Sequence, residues 1–180
     1  ARVKVTHLPW QIDAVALAAR FGIERVDLLN DFAAAAHGVV ALAPADLVTL
    51  QAGEPLAERP KLVIGAGTGL GIAYVMGDTV LSGEGGHAAF APADPAQDAL
   101  WRWLHGRVGR VQVEHVVSGR GIARIYEFLL EQSAGKQPPA ARAALAADDP
   151  AAAIGRQALE RGDVLSLAAI DLFLSCYGAL

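Results

Sequence analysis

Eight of the nineteen glycines in this chain of 180 residues fall between positions 65 and 86. Glycine has no Cβ, so this concentration marks unusual backbone geometry rather than generic flexibility. The apolar segment Lys61 to Ile64 reads as a strand running into Gly65-Ala66-Gly67-Thr68-Gly69-Leu70-Gly71. A second strand, Ile72 to Met76, turns at the hairpin signal Gly77-Asp78 and returns as Thr79-Val80-Leu81. That strand delivers the chain to Gly83-Glu84-Gly85-Gly86-His87.

The flanks read differently. Residues 1–7 alternate as a strand does, and Asp13 to Phe21 has helical spacing with Asp13 as its cap. Arg25 to Leu29 reads as a short strand, followed by Asn30-Asp31-Phe32 and a helix over Ala33 to Ala43. Pro44 opens a looser stretch, and Gly53 to Pro60 is a loop. Beyond residue 94 the pattern is helical: Gln97 to Val108 puts Leu100, Trp101 and Leu104 on one face, and Ile122 to Leu130 is a second helix. Gly135 to Pro139 reads as a loop, and Asp148-Asp149-Pro150 starts another helix.

Composition narrows the classes. Hydrophobic residues are 53% and charged residues 19%, enough to bury a sizeable core. A net charge of -4 argues against nucleic acid as a partner, although Arg102, Arg107 and Arg110 could form a local basic patch. The single Cys176 excludes an internal disulfide and fits a reducing compartment. No segment reads as a signal peptide or a membrane span, so a cytoplasmic protein is expected. Ala1 opens directly into a strand pattern and Leu180 closes inside an apolar helical one, so both ends read as cut.

Four places could carry chemistry. Alternating glycines in Gly65 to Gly71 let backbone N–H groups face a phosphate, with Thr68 adding a hydroxyl; a tight hairpin explains them equally well. No Gly-Lys-Ser/Thr follows, and the next element is a strand, so neither a P-loop nor a dinucleotide fingerprint is present. Asp31 either caps the following helix or presents a carboxylate that takes a proton from a substrate hydroxyl, and the two roles are compatible. Asn30 beside it can both donate to and accept from hydroxyls. Glu84 and His87, set among glycines, can read adjacent sugar hydroxyls, since each hydroxyl donates and accepts; the alternative is a glycine turn that happens to hold them. Glu114, ahead of the small-residue turn Ser118-Gly119, reads alone as a solvated surface acid, and His37, His105 and His115 as surface or core histidines.

Leu28-Leu29-Asn30-Asp31-Phe32, GAGTGLG at 65–71, GEGGHAAFAP at 83–92 and VEHVVSGRGIARIY at 113–126 occur together and in this order. The combination resembles the bacterial glucokinase family, ATP-dependent members of the actin/hexokinase/Hsp70 superfamily. The likeness runs along most of the chain and is weakest between Gln132 and Asp163. It implies a ribonuclease H-like actin/hexokinase-type ATPase fold, α/β to α+β and incomplete here. Residues 1–41 would end the small α/β domain and 42–180 would form most of the large α+β domain, with a hinge near 40–44. Asp31 matches the family's catalytic base, and Asn30, Glu84, His87 and Glu114 match its glucose-binding residues. Gly65, Gly67, Thr68 and Gly69 match the second phosphate loop, for ATP with Mg²⁺ held through it. A homodimer is a possible assembly of the intact protein, since homodimers are common in the family.

The chain also departs from the pattern. Thr6-His7 stands where the family usually has Thr-Asn, and Ser82 and Arg120 stand where some members have Pro. The family's opening Asp-x-Gly-Gly-Thr phosphate loop and its later Gly-Gly adenosine motif have no counterpart here, so negligible kinase activity is expected of this polypeptide alone. The competing reading is a non-catalytic sugar sensor related to these kinases. Asp31 and the lack of a Cys-rich zinc motif speak against it. The plainest alternative is an α+β domain whose glycines serve packing only.

Overall fold

Asp13 shows how the first elements form. In the computed structural model, which describes residues 1–4, 9–39, 41–54, 56, 58–133 and 139–180, strand β1 (Arg2–Lys4) pairs antiparallel with β2 (Gln11–Asp13) in the register Arg2 with Asp13. The remainder of the strand expected over residues 1–7 lies outside the described residues. Arg2 donates from Nε and Nη2 to Asp13 Oδ2 at 3.0 and 2.7 Å, while Asp13 Oδ1 accepts from Val15 N and caps helix α1 (Ala14–Phe21). The Arg2 guanidinium and then these N–H groups hold the Asp13 carboxyl below its ordinary pKa.

Two expectations give way here. Residues 25–29 form no strand, although Val26 and Leu28 keep the alternating burial that suggested one. Alternation reports two faces, but a strand also needs a neighbour for its N–H and C=O groups, and no ladder forms there among the described residues. Helix α2 spans Asp31–Val39, so it starts two residues earlier than the expected Ala33 and stops short of the expected Ala43, residues 41–43 being non-helical.

The glycine-rich region forms a three-stranded sheet in the order β3 (Lys61–Ala66), β4 (Leu70–Met76), β5 (Thr79–Gly83). Contacts divide the chain into two units. One comprises Ala1–Lys61 with the hairpin tip Val75–Ser82, the other Leu62–Tyr74 with Gly83–Leu180. The first unit buries little: Ala14, Ala33, Ala36 and Val75.

The second unit holds the larger core. Asp94 caps α3 (Pro95–Val108), Ser118 caps α4 (Gly119–Gln132), Asp149 caps α6 (Pro150–Arg161) and Asp163 caps α7 (Val164–Gly178). Each side-chain oxygen takes an N–H that the helix itself cannot satisfy. A short α5 (Pro139–Leu145) lies in the alanine-rich stretch; the loop expected over 135–139 falls outside the described residues up to 138. Leu100 and Leu104 of α3 are buried with Ile125 and Tyr126 of α4, Ile154 of α6 and Phe173 and Cys176 of α7. Burial of about ten such side chains, at ~1.5–3 kcal/mol each, outweighs any single polar contact in this unit. Gly121 begins this packing, because a Cβ there would overlap the Val116 carbonyl. Tyr177 on α7 donates to the Ile64 carbonyl at 3.2 Å, tying the last helix to β3. No helix among the described residues is long and apolar enough to cross a membrane.

Candidate functional site

Two short turns build the main cluster. Glu84 precedes a 3₁₀ turn at Gly85–His87, and Glu114 lies within another at Val113–His115. The chain segments between them are stitched: Val113 N donates to Ala88 O at 2.9 Å and Phe90 N to Val111 O at 3.1 Å. This antiparallel bridge sets His87 beside Gln112 and Glu114. His87 Nε2 lies 3.5 Å from Glu84 Oε2, and His87 Nδ1 lies 3.6 Å from Glu114 Oε1 and 3.3 Å from Gln112 Oε1. A carboxamide oxygen only accepts, so Nδ1 donates to Gln112.

Glycines admit this arrangement by close approach. A Cβ on Gly86 would sit 2.7 Å from the Leu70 carbonyl, and one on Gly69 would sit 2.9 Å from Glu114 Oε2. A Cβ on Gly85 would overlap the Ile72 side chain. Of the glycines between 65 and 86, only Gly77 has a positive φ, 56°, so the rest do not serve left-handed turns. The Glu114 side chain is 28% exposed, against 84% for Glu84. The expectation of a solvated Glu114 therefore fails, because its surroundings come from the distant β3–β4 loop and the His87 turn. Ser118 holds Glu114 from behind: its hydroxyl donates to Glu114 O at 2.7 Å and accepts from Gly121 N at 3.0 Å. His115 accepts at Nδ1 from Gln112 N, and burial, then Arg124, lowers its pKa.

The β3–β4 loop is a hairpin turn closed by Gly67 N donating to Gly69 O at 2.8 Å. Gly67 O in turn accepts from Gly119 N at 2.8 Å, fixing the loop to the start of α4. Gly67 and Thr68 line a cleft of ≈ 620 Å³ together with Arg120, Arg124, Asp148 and Asp149. The sequence marks Arg120 only as a departure from the family's Pro and gives no sign of Gln112 or Arg124; spacing alone does not show that they converge with the glycine motifs. Arg102, Arg107 and Arg110 form no joint patch: Arg102 pairs with Asp98, Arg107 with Glu131, and Arg110 donates to His87 O.

Asn30 and Asp31 belong to the first unit. Asn30, rather than Asp31, caps α2: its Oδ1 accepts from Phe32 N and Ala33 N, each at 3.0 Å. Among the described residues Asp31 accepts only from Phe32 N, at 2.8 Å; it is exposed and lines an open cleft with Asn30, Lys4 and Asp27. Its carboxylate thus keeps most of its acceptor capacity.

Comparison with known proteins places the chain as a whole. A family model described as Glucokinase matches residues 1–180. A glucokinase of Nostoc sp. is 40% identical, over 98% of this chain and 56% of its own length. That of Ralstonia nicotianae is 33% identical, over 99% and 54%. Among solved structures, a glucokinase from an Antarctic psychrotroph superposes with a TM-score of 0.79 at 27% identity, covering 98% of this chain and 53% of that one. A glucokinase from Balamuthia mandrillaris, solved in complex with glucose, shares the fold with a TM-score of 0.58 at 24% identity, over 81% and 44%. The fold is thus the actin/hexokinase type found in glucokinases, and the chain spans about half the length of the relatives it matches. On the match across all 180 residues, this chain belongs to the glucokinase family.

Proposed function

We propose that this chain carries the sugar-binding and base elements of an ATP-dependent hexose kinase that phosphorylates glucose at its 6-hydroxyl. The observation that supports it best is the His87 imidazole flanked by Glu84, Glu114 and Gln112 within 3.3–3.6 Å, in a chain of this family. Acceptors and a donor gathered so closely suit a polyol, whose every hydroxyl needs both. Glu84, His87, Glu114 and Asn30 would hold the sugar. Asp31 would take the proton of the 6-hydroxyl as its oxygen bonds the γ-phosphorus and the bond to the ADP oxygen breaks. An exposed carboxylate serves, because the hydroxyl becomes acidic only as the new bond forms.

ATP is the phosphoryl donor, with Mg²⁺ carried on its phosphates. Gly65, Gly67, Thr68 and Gly69 form the loop that receives them, and the Thr68 hydroxyl in its cleft suits a phosphate oxygen. The small and large domains divide at 41/42, with a hinge near 40–44. The same reading makes the protein cytoplasmic, with glucose and ATP as its partners and a homodimer as a possible assembly.

Calorimetric titration of glucose tests this. The folded chain should bind glucose, and His87→Ala should weaken binding by roughly tenfold or more. A chain that melts cooperatively but takes up no glucose would overturn the proposal. The polypeptide by itself should phosphorylate glucose negligibly, and measurable ATP-dependent turnover would refute that part.

A further inference from the structure

Gln112 stands at the centre of the bridge that joins the two acidic turns. It pairs antiparallel with Ala89, and around that pair Val113 N donates to Ala88 O and Phe90 N to Val111 O. Val111 and Val113 are buried, so the two-residue alternation of an extended segment turns the Gln112 side chain to the other face, where His87 lies. The Gln112 N–H donates to His115 Nδ1 at 3.2 Å, and Arg110 Nη2 donates to His87 O at 3.3 Å. The backbone behind both side chains is therefore held before any ligand arrives.

His87 Nδ1 has two acceptors in reach, Gln112 Oε1 at 3.3 Å and Glu114 Oε1 at 3.6 Å. The choice between them has chemical consequences. A proton shared with Glu114 would commit a carboxylate oxygen inside the cluster and favour a charged ring. A proton directed to Gln112 leaves Glu114 its acceptor capacity and holds the neutral ring in one tautomer. Nε2 of that tautomer is bare, and Glu84 Oε2 lies 3.5 Å from it. Two acceptors side by side with no proton between them call for donors from a ligand, and adjacent hydroxyls of a polyol supply one each.

We propose that Gln112 is a positioning residue: it takes the Nδ1 proton of His87 in preference to Glu114, so that His87 Nε2, Glu84 and Glu114 stay open as acceptors for neighbouring hydroxyls of the sugar. The benefit to the sugar rests on the hexose kinase proposed above; the hold on His87 does not.

A proton–nitrogen correlation spectrum of the imidazoles in the purified chain, at about pH 8.5 and so above the ordinary histidine range, tests the hold. Protonated and bare ring nitrogens fall in separate ranges, and His87→Ala identifies the His87 signals. Nδ1 should carry the proton in the unaltered chain. Gln112→Met keeps the side-chain length but replaces the amide with a thioether. The His87 proton should then redistribute between the ring nitrogens, and glucose affinity by calorimetry should fall roughly tenfold. Gln112→Glu keeps an oxygen acceptor of the same reach and should retain the Nδ1–H signature. A proton on Nε2 in the unaltered chain would overturn the proposal. So would an unchanged signature in Gln112→Met, or a Gln112→Glu ring that behaves as in Gln112→Met, since packing alone would then explain the site. A lost signature with unchanged glucose affinity would remove the positioning role. Melting curves identify lost folding, and if Gln112→Met unfolds, the unaltered chain and Gln112→Glu still decide. An unaltered chain that shows Nδ1–H but takes up no glucose would sink the hexose reading and leave the bond from His87 to Gln112 standing.

Discussion

Asp31 opens α2 and Glu114 lies shortly before α4, yet the chain builds these two acids in opposite ways. Asp31 is positioned by its neighbours: Asn30 caps α2 through Phe32 and Ala33, and Asp31 itself accepts from Phe32. Glu114 is positioned by residues far away in sequence, with His87 at 3.6 Å and Gly69 leaving room for its carboxylate. A locally held acid stays exposed and available, whereas one held by several segments is fixed in direction and partly dried. Within the proposed kinase, the first arrangement suits proton transfer and the second suits recognition.

The contrast can be broken most severely at Asp31. In the intact kinase, Asp31→Ala should lower kcat by ~10²–10⁴ while leaving thermal stability and glucose affinity nearly unchanged. Steady-state rates beside a sugar titration would decide this, and near-normal kcat would remove Asp31 from its role. Gly86→Ala attacks the other construction, since its new methyl would press on the Leu70 carbonyl. It should destabilise the chain by about 1–3 kcal/mol in urea denaturation and weaken glucose binding as well.

Asn30→Ala should cost about 1 kcal/mol, the usual value of a lost helix cap, and Asn30→Asp should restore most of it. A loss well beyond that would mean that the Asn30–Asp31 turn is not locally built. The smallest effect concerns His115, whose pKa is lowered in the folded chain, so the unfolded chain binds the proton more readily. Its contribution to stability is present above the ordinary histidine range and is lost as pH falls from that range through the lower folded pKa. Chemical denaturation at several pH values should show a shallower acid loss for His115→Gln than for the unaltered chain.

Legibility followed the same divide. Helix starts at Asp13 and Asp149 and the strands of the glycine-rich sheet are readable, because capping and alternation are written in adjacent residues, whereas the helix expected from Gln97 starts at Pro95 behind the Asp94 cap. The short β2 was missed, and residues 25–29 were read as a strand, because pairing depends on a partner that periodicity does not name. Asn30 rather than Asp31 proved to be the cap, a choice settled by one residue of helix phase. Glu84 and His87 stood out by proximity. Glu114 taken alone looked like a surface acid and Gln112 like nothing in particular, since only the bridge between residues 88–90 and 111–113 brings them to His87.

The hydrogen bond from Gly119 N to Gly67 O has a consequence for folding order. It joins segments remote in the chain, so it forms only after the intervening polypeptide has closed, a slow and entropically costly event. The β3–β4 loop therefore gains its final support late, and any local opening of the α4 start releases it first. Amide exchange at Gly119 should report that opening directly.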